Sequence, residues 1–142
     1  MKTLRRVLDA KGHDVYSTAP DATVFDALRE MAERDVGALI VMEGEKVVGV
    51  FSERDYARKI ILLGRSSRET PVRDIMTSRV VFARPDLELD ECLALMTDKR
   101  IRHLPVMQGE ELVGVVSIGD LVKGIIDHQR FVIEQLEGYV AS

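Results

Sequence analysis

Val48-Gly49-Val50-Phe51-Ser52-Glu53-Arg54-Asp55 and Val113-Gly114-Val115-Val116-Ser117-Ile118-Gly119-Asp120 are one pattern written twice, 65 positions apart. Each is an apolar run of strand character that reaches a Gly-x-x-Ser-x-x-Asp turn and continues as a helical stretch. The same shift aligns Pro20 with Pro85 and runs without a gap to Arg58 and Lys123. Identical residues occupy 14 of those 39 positions, where chance supplies about two or three. The chain is a tandem duplication.

Each copy has the same order of elements. Val24, Ala27, Leu28, Met31 and Ala32 recur at helical spacing, as do Leu89, Cys92, Leu93 and Met96. Thr23 with Asp26 resembles a capping box, whereas Glu88 caps the second copy less clearly. A buried strand follows over 38–42 or 104–107, then a turn at Gly44 or Gly109 and a second strand over 47–51 or 112–116. With an opening strand over 15–17 or 80–82 and a closing helix from Asp55 or Asp120, the unit is β-α-β-β-α. Two repeats are too few for a solenoid, so the expected α/β fold packs them on each other with pseudo-two-fold symmetry. Leu4, Val7 and Leu8 predict a short helix stopped by Gly12; Phe131, Ile133, Leu136 and Val140 predict a tail helix that is core or dimer seam.

Composition narrows the classes. With 46% hydrophobic and 31% charged residues the chain is expected to be globular. Its apolar runs fall well short of the ~20 residues of a membrane span. Met1–Arg6 lacks the apolar segment of a secretory signal. One cysteine, Cys92, forms no internal disulfide, and a cytoplasmic protein is expected. A net charge of −4 disfavours non-specific nucleic-acid binding, although Arg65, Arg68, Arg73 and Arg79 crowd the segment between the copies.

The Gly-x-x-Ser-x-x-Asp turn is the main candidate for chemistry. A helix start carries unpaired N–H groups and a positive dipole end, which suit a phosphate. An ionised carboxylate is acceptor-only and takes both hydroxyls of a ribose. The same residues also make a near capping box, which satisfies helix-end N–H groups and nothing more. Arg102-His103 before the second buried strand can clamp phosphate oxygens, or merely end a strand; the first copy has Gly37-Ala38 there. No metal-ligand spacing surrounds His13 or His128, and no P-loop, Gly-x-Gly-x-x-Gly or Gly-x-Ser-x-Gly occurs. Neither metal nor catalysis is expected.

These residues carry a family likeness. Pro20-Asp21-Ala22-Thr23-Val24, Arg102-His103-Leu104-Pro105-Val106, Val72-Arg73-Asp74-Ile75-Met76-Thr77 and the two strand–turn–helix segments resemble the CBS domain, and the pair resembles a Bateman module from about Leu8 to Ile126. The resemblance implies domains over 8–63 and 76–126, a linker over 64–75 and a C-terminal helix over 127–142. It implies binding of adenine nucleotides and relatives (AMP, ADP, ATP, NAD, S-adenosylmethionine) in clefts between the copies. By that likeness Asp120 holds ribose, Ser117 faces phosphate with Arg102 and His103, and Val80, Val81, Ile101 and Val115 sandwich adenine. Asp55, Ser52, Val15, Tyr16, Val36 and Val50 occupy the matching places in the first copy, where phosphate binding needs Arg54, Arg58 or the other copy to supply the charge that Gly37-Ala38 lacks. The expected protein is a non-catalytic, homodimeric adenine-nucleotide sensor that signals to a partner protein. A ligand-free structural module, and nucleic-acid binding through the linker arginines, are the alternatives.

Overall fold

The computed structural model describes residues 2–141; the side chains of Val140 and Ala141 lie outside the described part, and with them the expected place of Val140 on the tail. In chain order the elements are α1 (Leu4–Lys11), β1 (Ser17–Thr18), α2 (Val24–Arg34), β2 (Ala38–Glu43), β3 (Lys46–Ser52) and α3 (Glu53–Tyr56), which runs into a π turn at Ala57–Ile61. A 3-10 turn (Val72–Asp74), α4 (Leu89–Lys99), β4 (His103–Gln108), β5 (Glu111–Ser117) and α5 (Ile118–Ala141) follow. The compact units do not follow the order of the repeats along the chain. Val15–Val81 forms one, and Met1–Asp14 joins Phe82–Ser142 in the other.

In the Val15–Val81 unit, β1 runs parallel to β2, and β2 pairs antiparallel with β3. Thr23 Oγ1 accepts the Asp26 N–H at 3.1 Å, satisfying a helix-end donor as the sequence predicts. The inner faces of α2 (Val24, Ala27, Met31) and the sheet (Leu39, Val41, Phe51) close a core with Ile60, Val72 and Ile75. Val72 and Ile75 come from the segment expected as linker. It is tied in by Val72 N–H to the Ala22 carbonyl at 2.8 Å and Arg73 N–H to the Pro20 carbonyl at 2.9 Å.

The other unit repeats the scheme with a different leader. Leu4 N–H donates to the Leu87 carbonyl at 3.0 Å and Arg5 N–H to the Pro85 carbonyl at 2.9 Å. Thus α1, at the start of the chain, lies under the second repeat, while the segment preceding the second repeat lies under the first. Gly114 makes this possible: a Cβ there would come within 2.5 Å of Leu8 Cδ2, so only glycine lets α1 seat against β5. Gly49 leaves the matching space for Met76, whose Sδ would lie 2.5 Å from such a Cβ.

Two expectations change. The strand expected over 80–82 is absent; the second copy has only an isolated parallel bridge from Ala83 to Val106. In the first copy the Ile40 N–H donates to the Tyr16 carbonyl at 3.1 Å. Its counterpart is Pro105, which has no N–H to give Val81, so the ladder cannot start there. The tail expected as a separate helix is continuous with the closing helix, since no proline interrupts α5. Beyond the second repeat α5 is not core: Phe131, Ile133 and Leu136 are more than half exposed. Cys92 is fully buried on α4, and burial pushes its thiol up to about 11.

Candidate functional site

Both Gly-x-x-Ser-x-x-Asp turns sit where an antiparallel strand delivers its last residue to a helix start. In the first copy the two capping-box bonds are present: Ser52 Oγ accepts the Asp55 N–H at 3.2 Å, and Asp55 Oδ2 accepts the Ser52 N–H at 3.1 Å. The other carboxylate oxygen is also engaged. Asp55 Oδ1 accepts from Thr77 Oγ1 at 3.2 Å and pairs with Lys59 Nζ at 3.2 Å, an ammonium that also donates to the Ile75 carbonyl. Asp55 is buried, and its carboxylate is saturated by the protein.

The second copy keeps the cap and changes its partners. Asp120 Oδ2 accepts the Ser117 N–H at 2.9 Å, and Ser117 Oγ accepts the Asp120 N–H at 3.1 Å. The same Oδ2 takes a 2.7 Å bond from Lys11 Nζ, which donates also to the Val115 carbonyl at 2.8 Å. Among the described residues nothing bonds Asp120 Oδ1, and the side chain is a quarter exposed. Burial pushes the Asp120 carboxyl up, but the Lys11 ammonium and the Ser117 N–H outweigh it, so it stays ionised below the usual carboxylate range. Lys11 does here what Thr77 does in the first copy, where the backbone N–H of Thr77 meets the Val50 carbonyl and its hydroxyl meets Asp55.

The remaining expected residues divide by unit. Strand register sets His103 opposite Ser117, and the Arg102 carbonyl accepts the Ile118 N–H at 3.0 Å. Arg102 is exposed; Ile101, His103 and Val115 are half-buried in the same unit. Val80 and Val81, half-buried, end the other unit. There Val15, Tyr16, Val36 and Val50 are half-buried and Arg54 is exposed, with Arg34 stacked 5.1 Å over the Tyr16 ring. The linker arginines are partly committed: Arg68 lies 3.9 Å over the Phe25 ring and Arg65 pairs with Asp74 at 3.4 Å.

Lys11, Thr77 and Lys59 escaped the sequence reading. No local pattern announces Lys11, which lies 109 positions from its carboxylate. Next to it, His13 fastens the end of α1: its Nδ1 meets the Val113 carbonyl at 2.8 Å and its Nε2 meets Asp9 Oδ1 at 3.0 Å. Both partners are acceptors, so the doubly protonated ring fits best, and the bonds to Val113 and Asp9 raise its pKa above 6.5. A raised folded-state pKa gives stabilisation that is complete below the unfolded value and fades as pH rises through the folded one. The thermal midpoint of the wild type should therefore exceed that of His13→Gln most at about pH 5.5 and least at about pH 8.5. A difference that does not vary with pH would exclude this anchoring role.

A family model described as the CBS domain matches residues 7–62 and again 72–127. A CBS domain-containing protein of Arabidopsis thaliana, named as mitochondrial, is 38% identical over 97% of this chain and 71% of its own length. A solved structure of a protein with CBS domains from Burkholderia ambifaria is 46% identical, covers 90% of this chain and 96% of its own, and superposes with a TM-score of 0.87. The CBS domain pair of a third protein, solved with 5-methylthioadenosine and S-adenosyl-L-methionine, shares the fold at 19% identity and a TM-score of 0.77, over 90% of this chain and 98% of that one.

Proposed function

The chain belongs to the CBS-domain family, and from that we propose that it is a non-catalytic regulatory module that binds an adenine nucleotide (AMP, ADP, ATP or NAD) and signals to a partner protein. The observation that carries this reading is Asp120. It is an ionised carboxylate at a helix start, a quarter exposed, with Oδ1 unengaged among the described residues. Such an oxygen accepts a ribose hydroxyl, and the positive dipole end of α5 with Arg102-His103 suits phosphate. The fold also holds adenosyl ligands in the domain pair solved with 5-methylthioadenosine and S-adenosyl-L-methionine. Among the described residues each serine hydroxyl is engaged in its own helix cap: Ser52 Oγ donates to Asp55 Oδ2, and Ser117 Oγ accepts the Asp120 N–H.

The first copy favours a second reading for its own turn. Asp55 is saturated by Ser52, Thr77 and Lys59, which is what a purely structural cap requires. Ligand binding at the second copy can regulate only if one arrangement of the protein holds the ligand better than another. Calorimetry and thermal shift with AMP, ATP and NAD at millimolar concentration test the reading directly. We expect heat and a raised midpoint with at least one of them; silence with all three would reject it.

The partner we assign with most physical support is a second copy of this chain. Ile61, Leu62 and Leu63 in one unit and Phe131, Ile133 and Leu136 on α5 expose large apolar side chains, of the kind that closed two-fold dimers cover. Sedimentation should show a dimer that Leu136→Glu and Leu62→Glu weaken; a monomeric wild type at micromolar concentration would refute it. No helix among the described residues is long and apolar enough to cross a membrane. The lone buried Cys92 suits a reducing compartment, and we place the protein in the cytoplasm, which cell fractionation reads directly.

A further inference from the structure

We propose that Lys11, brought from the start of the chain to the second repeat, is a specificity-determining residue that makes this site select ligands carrying a phosphate over the bare nucleoside. The inference rests on the nucleotide reading of Asp120 given above. The Lys11 ammonium has three protons, of which one goes to Asp120 Oδ2 at 2.7 Å and one to the Val115 carbonyl at 2.8 Å. The third is uncommitted among the described residues, and the side chain is 36% exposed. The cation therefore sits on the strand side of the Ser117 turn, next to the N-terminal end of the 24-residue helix α5.

That position acts differently on two kinds of ligand. A neutral ribose diol that approaches Asp120 finds Oδ2 already holding an ammonium, so only Oδ1 is open to it. A phosphate meets the third ammonium proton beside the positive dipole end of α5, whose Ser117, Ile118 and Asp120 N–H groups are already bonded within the protein, and charge-assisted bonds of this kind are about twice as strong as neutral ones. The first repeat lacks this arrangement. There the Val50 carbonyl and Asp55 Oδ1 are met by the neutral N–H and hydroxyl of Thr77. Its ammonium, Lys59, lies four residues into the helix beyond Asp55 and is turned to the Ile75 carbonyl, one turn from the N-terminal end.

Adenosine and AMP would be titrated into the wild type, Lys11→Met and Lys11→Arg, and followed by NMR at the Ser117 and Gly119 amides so that the second repeat alone reports. We expect the wild type to prefer AMP by about 10-fold or more, Lys11→Met to lose that preference without weaker adenosine binding, and Lys11→Arg to keep it. Should Lys11→Met not fold, Lys11→Gln gives the same comparison. An AMP preference unchanged in the uncharged variant overturns the role of Lys11 and leaves the nucleotide reading standing. A wild type whose amides respond to neither ligand overturns both.

Discussion

Asp120→Ala should weaken AMP binding by about 100-fold, because it removes Oδ1, the open acceptor for ribose, and a hydrogen bond to a charged group is worth about 1.5–3 kcal/mol. The carboxylate is ionised and held in place by the Ser117 N–H and the Lys11 ammonium, so its geometry needs no rearrangement to accept a ligand. The same change removes one half of the cap and strands Lys11, so stability should also fall, by about 1 kcal/mol. The ion pair itself adds little, as both partners are partly exposed. The two readouts separate the rival accounts. A purely structural turn predicts the stability loss with AMP affinity intact, and that pattern would exclude the ribose role. Calorimetry and thermal melting on one preparation give both.

Phe51→Ala should cost about 3–5 kcal/mol, a large share of the about 5–15 kcal/mol that holds a typical domain folded. Phe51 is fully buried on β3, opposite Leu39, amid Val24, Met31, Val41, Ile60, Val72 and Ile75. A cavity there cannot collapse easily, because strands fix one side and α2 the other. It also loosens Val72 and Ile75, which reach the core from the segment expected as linker. Urea unfolding measures the loss; a change below about 1 kcal/mol would show that Phe51 is not the centre of that core. Its counterpart Val116 is equally buried but smaller, so the second core tolerates truncation better.

How much of this was legible in the sequence follows from the range of each interaction. The periodicity of α2, α4 and the paired strands, the Thr23 cap and both Ser-x-x-Asp turns are local, and these lie where the pattern put them. The opening strand of the second copy misled, because its missing bond depends on Pro105, some twenty positions on. The tail was legible as a helix but not as a continuation of α5, and its apolar spacing marks a face to be covered, whether or not this chain covers it.

The duplication and the two turns were determined by the sequence alone, since a repeated pattern and a cap four residues long need no tertiary contact to be read. Which leader lies beneath which repeat was decided only by the fold. That exchange brings Thr77 to Asp55 and Lys11 to Asp120. Two nearly identical turns thereby acquire different partners: a hydroxyl that completes the saturation of Asp55 begun by Ser52 and Lys59, and an ammonium that leaves one oxygen of Asp120 open. The physical reason is that a carboxylate's chemistry depends on the charges and donors within a few ångströms of it, and these come from segments that the chain order keeps far apart.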